Sequence, residues 1–407
     1  MPQHHPRRVA AARLGLLQIL REDGSILDTP GYDAATGVLY EPRQSFPEVP
    51  TAPTWEQVEA ARDQLLDIAV DFPFAQECHR AAWLAGLLTP FARFAYEGYT
   101  PFFLVDATTA GSGKGTLVDV VSVLVSGGEA TRMSHSPSRE EEEKRVASML
   151  LTGDLLICVD NISKPFGSDI FDMLITGKTF SPRLLGTNTM LRLTNSSIWW
   201  GNGNNVKIKE GADTTRRTLH MRLEPKEEAP DLRDDFKHPN LIEHVLTHRP
   251  QLVTAALTIL RAYMLARPTA GIKLRSWKSF DEWGQVVRGA VVYVGLPDPY
   301  EAHELFRSSS DPVAFALEET VAPDWLVTVD ANSRHRPRPA PTGRCATAGG
   351  TPPRHPPAPP RTGWAPGTRS PDGSAGTGWP RRATTATAPR RPPPHPRRAP
   401  ASAGTAG

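Results

Sequence analysis

Cysteine is scarce in this chain of 407 residues. Cys78, Cys158 and Cys345 lie far apart and show neither metal-ligand spacing nor the density of a disulfide framework. Cys158 falls inside an apolar strand pattern, where a buried thiol is the ordinary reading. Apolar runs long enough to span a bilayer are lacking. Arg7 and Arg8 precede a short Leu-rich patch without the core and cleavage site of a signal peptide. No membrane partner and a cytoplasmic location are therefore expected. A third deficit is local: residues 331–407 contain no Leu, Ile, Val, Phe or Lys. They hold 13 arginines against one acid, Asp372, and 18 of the chain's 40 prolines. That segment therefore carries a net +12, which leaves −10 for the first 330 residues of a chain whose total is +2. Such a composition cannot bury enough apolar surface to offset its ordering entropy, and a disordered tail over 326–407 is expected. A GC-rich reading frame yields the same composition after a frameshift, and the helical pattern stops abruptly near Leu326-Val327-Thr328.

The preceding residues have the patterning of a folded α/β protein. Residues 1–52 read as a short β-rich region, with Asp23-Gly24, Pro30-Gly31 and Thr36-Gly37 as turns. Residues 53–98 are helical, and Thr54 with Gln57 forms a capping-box pattern. Over 99–228, strands at 101–106, about 130–134, 154–159, 196–201 and 217–223 alternate with helices at 115–126, 138–151 and 168–177. Ser138 with Glu141 is expected to cap the second of these helices, and Glu140–Glu143 to form its solvated first turn. That alternation predicts a parallel sheet covered by helices on both faces. Residues 229–325 return to helical periodicity as a subdomain.

The most informative stretch is Phe102-Phe103-Leu104-Val105-Asp106-Ala107-Thr108-Thr109-Ala110-Gly111-Ser112-Gly113-Lys114-Gly115-Thr116. An apolar strand breaks into a glycine-punctuated loop, reaches a lysine and continues as a helix. Backbone N–H groups in such a loop converge on phosphate oxygens, the helix directs its positive end at them, and Lys114 adds a full charge. Gly111, Ser112, Gly113, Lys114, Gly115 and Thr116 are the expected nucleotide-binding residues. The usual pattern is G-x-x-x-x-G-K-[ST]; here Thr108 takes the first glycine position and Gly115 the hydroxyl position, with Thr116 directly after.

Leu155 to Asp160 is an apolar strand ending in a carboxylate, the place where phosphate-loop ATPases hold Mg²⁺. Asn161 follows, an amide that can position water but cannot take its proton. Ser196 to Asn205 is a further strand ending in amides, of which Asn204 or Asn205 can orient an attacking water; a Gly-Asn turn is the plain alternative. Arg216 and Arg217 precede the last strand, where an arginine can neutralise transition-state charge in a neighbouring subunit. Trp199 and Trp200, inside a strand pattern, read as core rather than as base-stacking platforms.

Taken in order, these residues resemble the AAA+ division of phosphate-loop ATPases, in particular the superfamily 3 helicases and the helicase portion of phage and prophage primase–helicase proteins. The likeness spans about residues 15–300 and is carried by Asp23 to Ile26 with Pro30 to Asp33, Asp71-Phe72-Pro73-Phe74, the phosphate loop, Val159-Asp160-Asn161, Arg183 to Gly186, Gly203-Asn204-Asn205, Asp213 with Arg216-Arg217, His238 to Leu241, and Arg249. The resemblance implies ATP and Mg²⁺ as cofactors, with Lys114 on phosphate, Asp160 and Thr116 as metal ligands, Asn204 as sensor, and Arg216 or Arg217 as arginine finger. It implies a homo-oligomer, usually a hexameric ring, that translocates on single-stranded DNA, with a primase domain or protein as partner. Lys178, Arg183, Lys207 and Lys209 fall where such proteins form a pore hairpin, and phosphate contacts from these cations are expected to give salt-sensitive binding. The expected function is an ATP-dependent DNA helicase of phage or mobile-element replication. Two alternatives stay open: a small-molecule kinase, since Gly111 to Thr116 also resembles the nucleoside-monophosphate kinase loop, and an inactive nucleotide-binding fragment.

Overall fold

The computed structural model describes residues 17–182, 192–209, 212–226 and 233–310. The segment 326–407, expected to be disordered, lies outside these residues. Two small antiparallel hairpins open the chain: β1 (Ile19–Leu20) with β2 (Ile26–Leu27), and β3 (Gly31–Asp33) with β4 (Val38–Tyr40). Arg21 ties them together, donating through Nε to Asp33 Oδ2 at 3.2 Å and through Nη1 to the Ile26 carbonyl at 2.9 Å. Next come α1 (Trp55–Asp67), which starts at the Thr54–Gln57 capping box, and the buried α2 (Glu77–Ala92).

The α/β core runs β5 (Phe102–Ala107), α3 (Lys114–Ser126), β6 (Thr131–Ser134), α4 (Arg139–Thr152), β7 (Leu156–Ile162) and α5 (Asp169–Ile175). The short hairpin β8 (Thr179–Phe180) with β9 (Leu193–Thr194) precedes β10 (Ile198–Asn204) and β11 (Thr218–Leu223). Five strands form one sheet in the order β11-β5-β10-β7-β6, and every pairing in it is parallel. This mixed α/β architecture, a five-stranded parallel sheet flanked by helices, fits a phosphate-loop fold. The order places β10 between the strand that feeds the phosphate loop and the strand that carries Asp160.

Side-chain alternation gives the sheet two apolar faces. On one, Phe103 stacks on Trp200 with ring centroids 4.9 Å apart, under α2. Gly86 makes this possible, because a Cβ there would come within 2.5 Å of the Trp200 ring. On the other, Phe102 meets Phe166 and Phe171, and Phe171 meets Trp199. Both tryptophans are thus core. Cys158 is buried, and burial pushes its thiol up to about 12.

Two local expectations need correction. Ser138 stands at the N-cap of α4 without a side-chain capping bond, and its own N–H donates to Ser136 Oγ at 3.3 Å. Glu142 is not solvated; it is 2% exposed and accepts from Ser168 Oγ at 2.5 Å. Beyond the core lie α6 (Leu241–Thr247), α7 (Arg249–Ala266), α8 (Asp281–Trp283), a π-turn (Gly284–Arg288), α9 (Gly289–Tyr293) and α10 (Tyr300–Ser310). Of these, α7 packs on α1 and α2, and α10 packs on β11. Arg249, buried at the start of α7, donates to the carbonyls of Val123, Leu124 and Val125 at the end of α3.

Candidate nucleotide-binding site

The phosphate loop leaves β5 after Ala107 and ends at Gly113, the N-cap of α3. Gly111 and Gly113 both have left-handed backbone, with φ of 72° and 77°. No side chain caps α3, so its first-turn N–H groups face out of the helix without intrahelical acceptors. Within the loop, Ser112 Oγ donates to the Thr109 carbonyl at 2.7 Å, and Lys114 Nζ donates to the same carbonyl at 3.0 Å. Burial lowers the pKa of the Lys114 ammonium, and Asp106 opposes that shift. The Phe72 ring lies beside Gly113, where an added Cβ would come within 2.7 Å of its Cε1.

Asp160 lies near the C-terminal end of β7, two strands from β5. Its Oδ1 accepts from Arg132 Nη1 at 2.7 Å and from Asn202 Nδ2 at 2.8 Å. Asn202 Oδ1 in turn accepts the Asn161 N–H at 2.9 Å, which holds Asn161 at a φ of 51°. Asn204 pairs in register with Ala107, the last residue of β5, and is exposed at the same edge. Its neighbour Asn205 donates from Nδ2 to the Thr108 carbonyl at 3.1 Å and accepts from Arg222 Nη2 at 2.8 Å. Arg222 also donates to buried Asp106 at 2.5 Å. Burial raises the Asp106 pKa, but His220, the Val206 N–H and Arg222 outweigh it and keep the carboxyl below its usual range. Asp160, Asn161, Asn204 and Lys114 thus share the C-terminal edge of three adjacent strands.

Other expected residues are not brought together. Thr116 lines a cavity of about 770 Å³ with Ile68, Phe72, Gly113 and Phe236, whereas Asp160 lines a different one with Arg132, Asn161 and Lys164. Thr116 and Asp160 thus open onto different cavities. Position 115 is the one beside Arg132, and the next residue is turned about 100° around the helix axis. No hydroxyl stands at 115, and a guanidinium already engages Asp160, so these residues do not fit Mg²⁺.

Arg216 and Arg217 sit on the turn before β11, at the N-terminal edge of the sheet. With β11 spanning six residues, that is about 20 Å from the loop edge. Both are tied to Asp213, and Arg217 also to Asp172 at 3.6 Å. Lys178 lies beside the β8–β9 hairpin before β10, while Lys207 and Lys209 follow β10 and line two separate cavities. Arg183 lies outside the described residues.

The reading of the sequence missed Arg132, Asp119, Asp106, Asn202 and Arg222. Asp106, Asp119, Asn202 and Arg222 carried one signal, a charged or amide side chain among the apolar residues of a parallel strand or helix, where an unpaired polar group is costly; Arg132, in the polar strand Thr131–Ser134, carried none.

No protein-family model matches the chain, and no curated protein matches it. Among solved structures, an apo form of the "NrS-1 C terminal region (305-718)" aligns at 14% identity with a TM-score of 0.36, over 70% of this chain and 58% of that one. The A form of the same region aligns at 13% identity and a TM-score of 0.36, over 60% and 52%. A "JCV Helicase" bound to a small molecule aligns at 12% identity and a TM-score of 0.27, over 65% and 71%. The chain thus spans 52–58% of the NrS-1 chains it aligns with. Among the described residues, no helix is long and apolar enough to cross a membrane.

Proposed function

We propose that this chain is a nucleoside-triphosphate-hydrolysing motor of the helicase type, of the AAA+ superfamily 3 kind found in phage and mobile-element replication. One observation carries the reading: an uncapped helix behind a glycine-rich lysine loop shares a sheet edge with Asp160, Asn161 and Asn204 on the neighbouring strands. A triphosphate bound there meets the α3 N–H groups and Lys114. The γ-phosphate side faces Asn204 and Asn161, which orient water. The base enters the 770 Å³ cavity beside the loop, where Ile68, Phe72 and Phe236 supply apolar surface and Asp71 and Asn240 supply polar groups.

The arginine positions at the far edge of the sheet support a ring. Too distant to reach the nucleotide of their own subunit, Arg216 or Arg217 acts on the neighbour's. Single-stranded DNA is the proposed track, contacted by Lys178, Lys207 and Lys209, with a primase domain or protein as working partner. The test is ATP turnover with and without single-stranded DNA, read together with the mass of the oligomer. DNA-stimulated turnover by a multimer, lost in Lys114→Ala, is expected. Phosphate transfer to AMP by a monomer would replace the motor with a kinase, and unchanged ATP affinity in Lys114→Ala would remove the loop assignment.

A further inference from the structure

The guanidinium of Arg132 stands where the site as read from sequence called for a divalent ion. A Cβ built on Gly115 would lie 3.7 Å from Arg132 Nη2 and 3.9 Å from Nη1, so the group sits directly beside the position that lacks its hydroxyl. Nη1 donates to Asp160 Oδ1 at 2.7 Å, and Nη2 donates to Asp119 Oδ2 at 2.6 Å. Asp119 lies one helical turn after Gly115, on the same face of α3. Its second oxygen accepts the Ala130 N–H at 3.2 Å, which fixes the carboxylate from behind. The three side chains are half-buried, Asp119 the most at 15% exposed.

The sequence places Arg132 there by parity. Arg132 is in register with Cys158 on β7, and Cys158 with Trp200 on β10. Asp160 lies two residues beyond Cys158, so it shares that face, and α3 covers it. Arginine suits the position because it stays charged and its planar fork serves two carboxylates at once. A divalent ion would have to displace it from both. It would also find no hydroxyl at position 115 to complete its ligands.

We propose that Arg132 holds the place of the divalent cation, so that nucleoside triphosphate binds here in its metal-free form. Arg132 bridges the acid strand to α3, as a bound ion otherwise would, and the remaining guanidinium N–H groups are available to phosphate oxygens at the start of the helix. This inference rests on the nucleotide-site reading above and goes beyond it.

The experiment measures ATP affinity of the full chain by calorimetry, in excess EDTA and in millimolar Mg²⁺. For the wild type, the two dissociation constants are expected to agree within about threefold. Arg132→Ala is expected to lose about tenfold or more in EDTA and to regain part of it with Mg²⁺, because Asp119 and Asp160 are then released to a metal. Arg132→Lys keeps the charge but reaches only one carboxylate, and is expected to fall between them; it also carries the test should the alanine variant fail to fold by circular dichroism. A wild type that binds about tenfold more weakly in EDTA would overturn the inference and leave the site reading intact. So would an Arg132→Ala chain that matches the wild type in EDTA. No binding in either buffer would overturn both.

Discussion

Replacing Gly113 by alanine separates two costs that meet at one atom. The backbone there is left-handed, with a φ of 77°, which costs an L-residue about 1–2 kcal/mol. The added methyl would also stand 2.7 Å from Phe72 Cε1, well inside van der Waals contact, and overpacking of this kind costs about 1–3 kcal/mol. Gly113→Ala should therefore destabilise the chain by about 2–5 kcal/mol, the sum of these two contributions. Because the loop must move to relieve the clash, nucleotide affinity should fall with it. Phe72→Ala supplies the second arm of a double-mutant cycle. It removes the clash but leaves the backbone strain, so Gly113→Ala in that background should cost only about 1–2 kcal/mol. Urea denaturation of the four chains gives the cycle. Additivity within about 0.5 kcal/mol would mean that Phe72 does not rest on Gly113 and would refute this reasoning.

Of the two arginines before β11, Arg217 is the more deeply placed, its side chain 13% exposed and paired with both Asp172 and Asp213, whereas that of Arg216 is 42% exposed. Arg216→Ala should lower turnover of the assembled oligomer by about tenfold or more with nucleotide affinity unchanged, as expected for a group acting on transition-state charge. Arg217→Ala should instead lower stability, by about 1–3 kcal/mol for the partners left behind; turnover normal in Arg216→Ala and lost in a fully folded Arg217→Ala would reverse the assignment. Stability should also depend on pH through two buried histidines. Burial lowers His79 to about 4, with the nearby His220 adding to the effect, and burial lowers His303 to about 3 against the pull of its hydrogen bond to Thr218. Unfolded histidine titrates near 6.5, so below that pH the unfolded chain binds protons that the folded one refuses. The stabilisation is complete above pH 6.5 and is lost as the pH falls toward 4. At pH 5.5 each histidine should have lost about 1.4 kcal/mol relative to pH 7.5, and a urea midpoint that does not fall over that interval would refute this.

The sequence by itself determined the order and type of the core elements, because hydrophobic periodicity and turn chemistry are local properties. All five strands of the sheet and the three helices between them lie where the pattern puts them, although β7 and β10 run about three residues further than expected. The glycine-punctuated loop was legible for the same reason: Gly111, Gly113 and Lys114 act within a few bonds of one another. The network around Asp160 was decided only in three dimensions. Arg132, Asp119 and Asn202 come from three separate elements and converge because β10 inserts between β5 and β7 while α3 covers that face. Likewise, nothing along the chain distinguishes Gly115, which faces Arg132, from Thr116, which faces the cavity; that choice belongs to the rotation of α3 against the sheet. Strand order and helix rotation are set by how side chains pack between distant segments, and a local pattern carries neither.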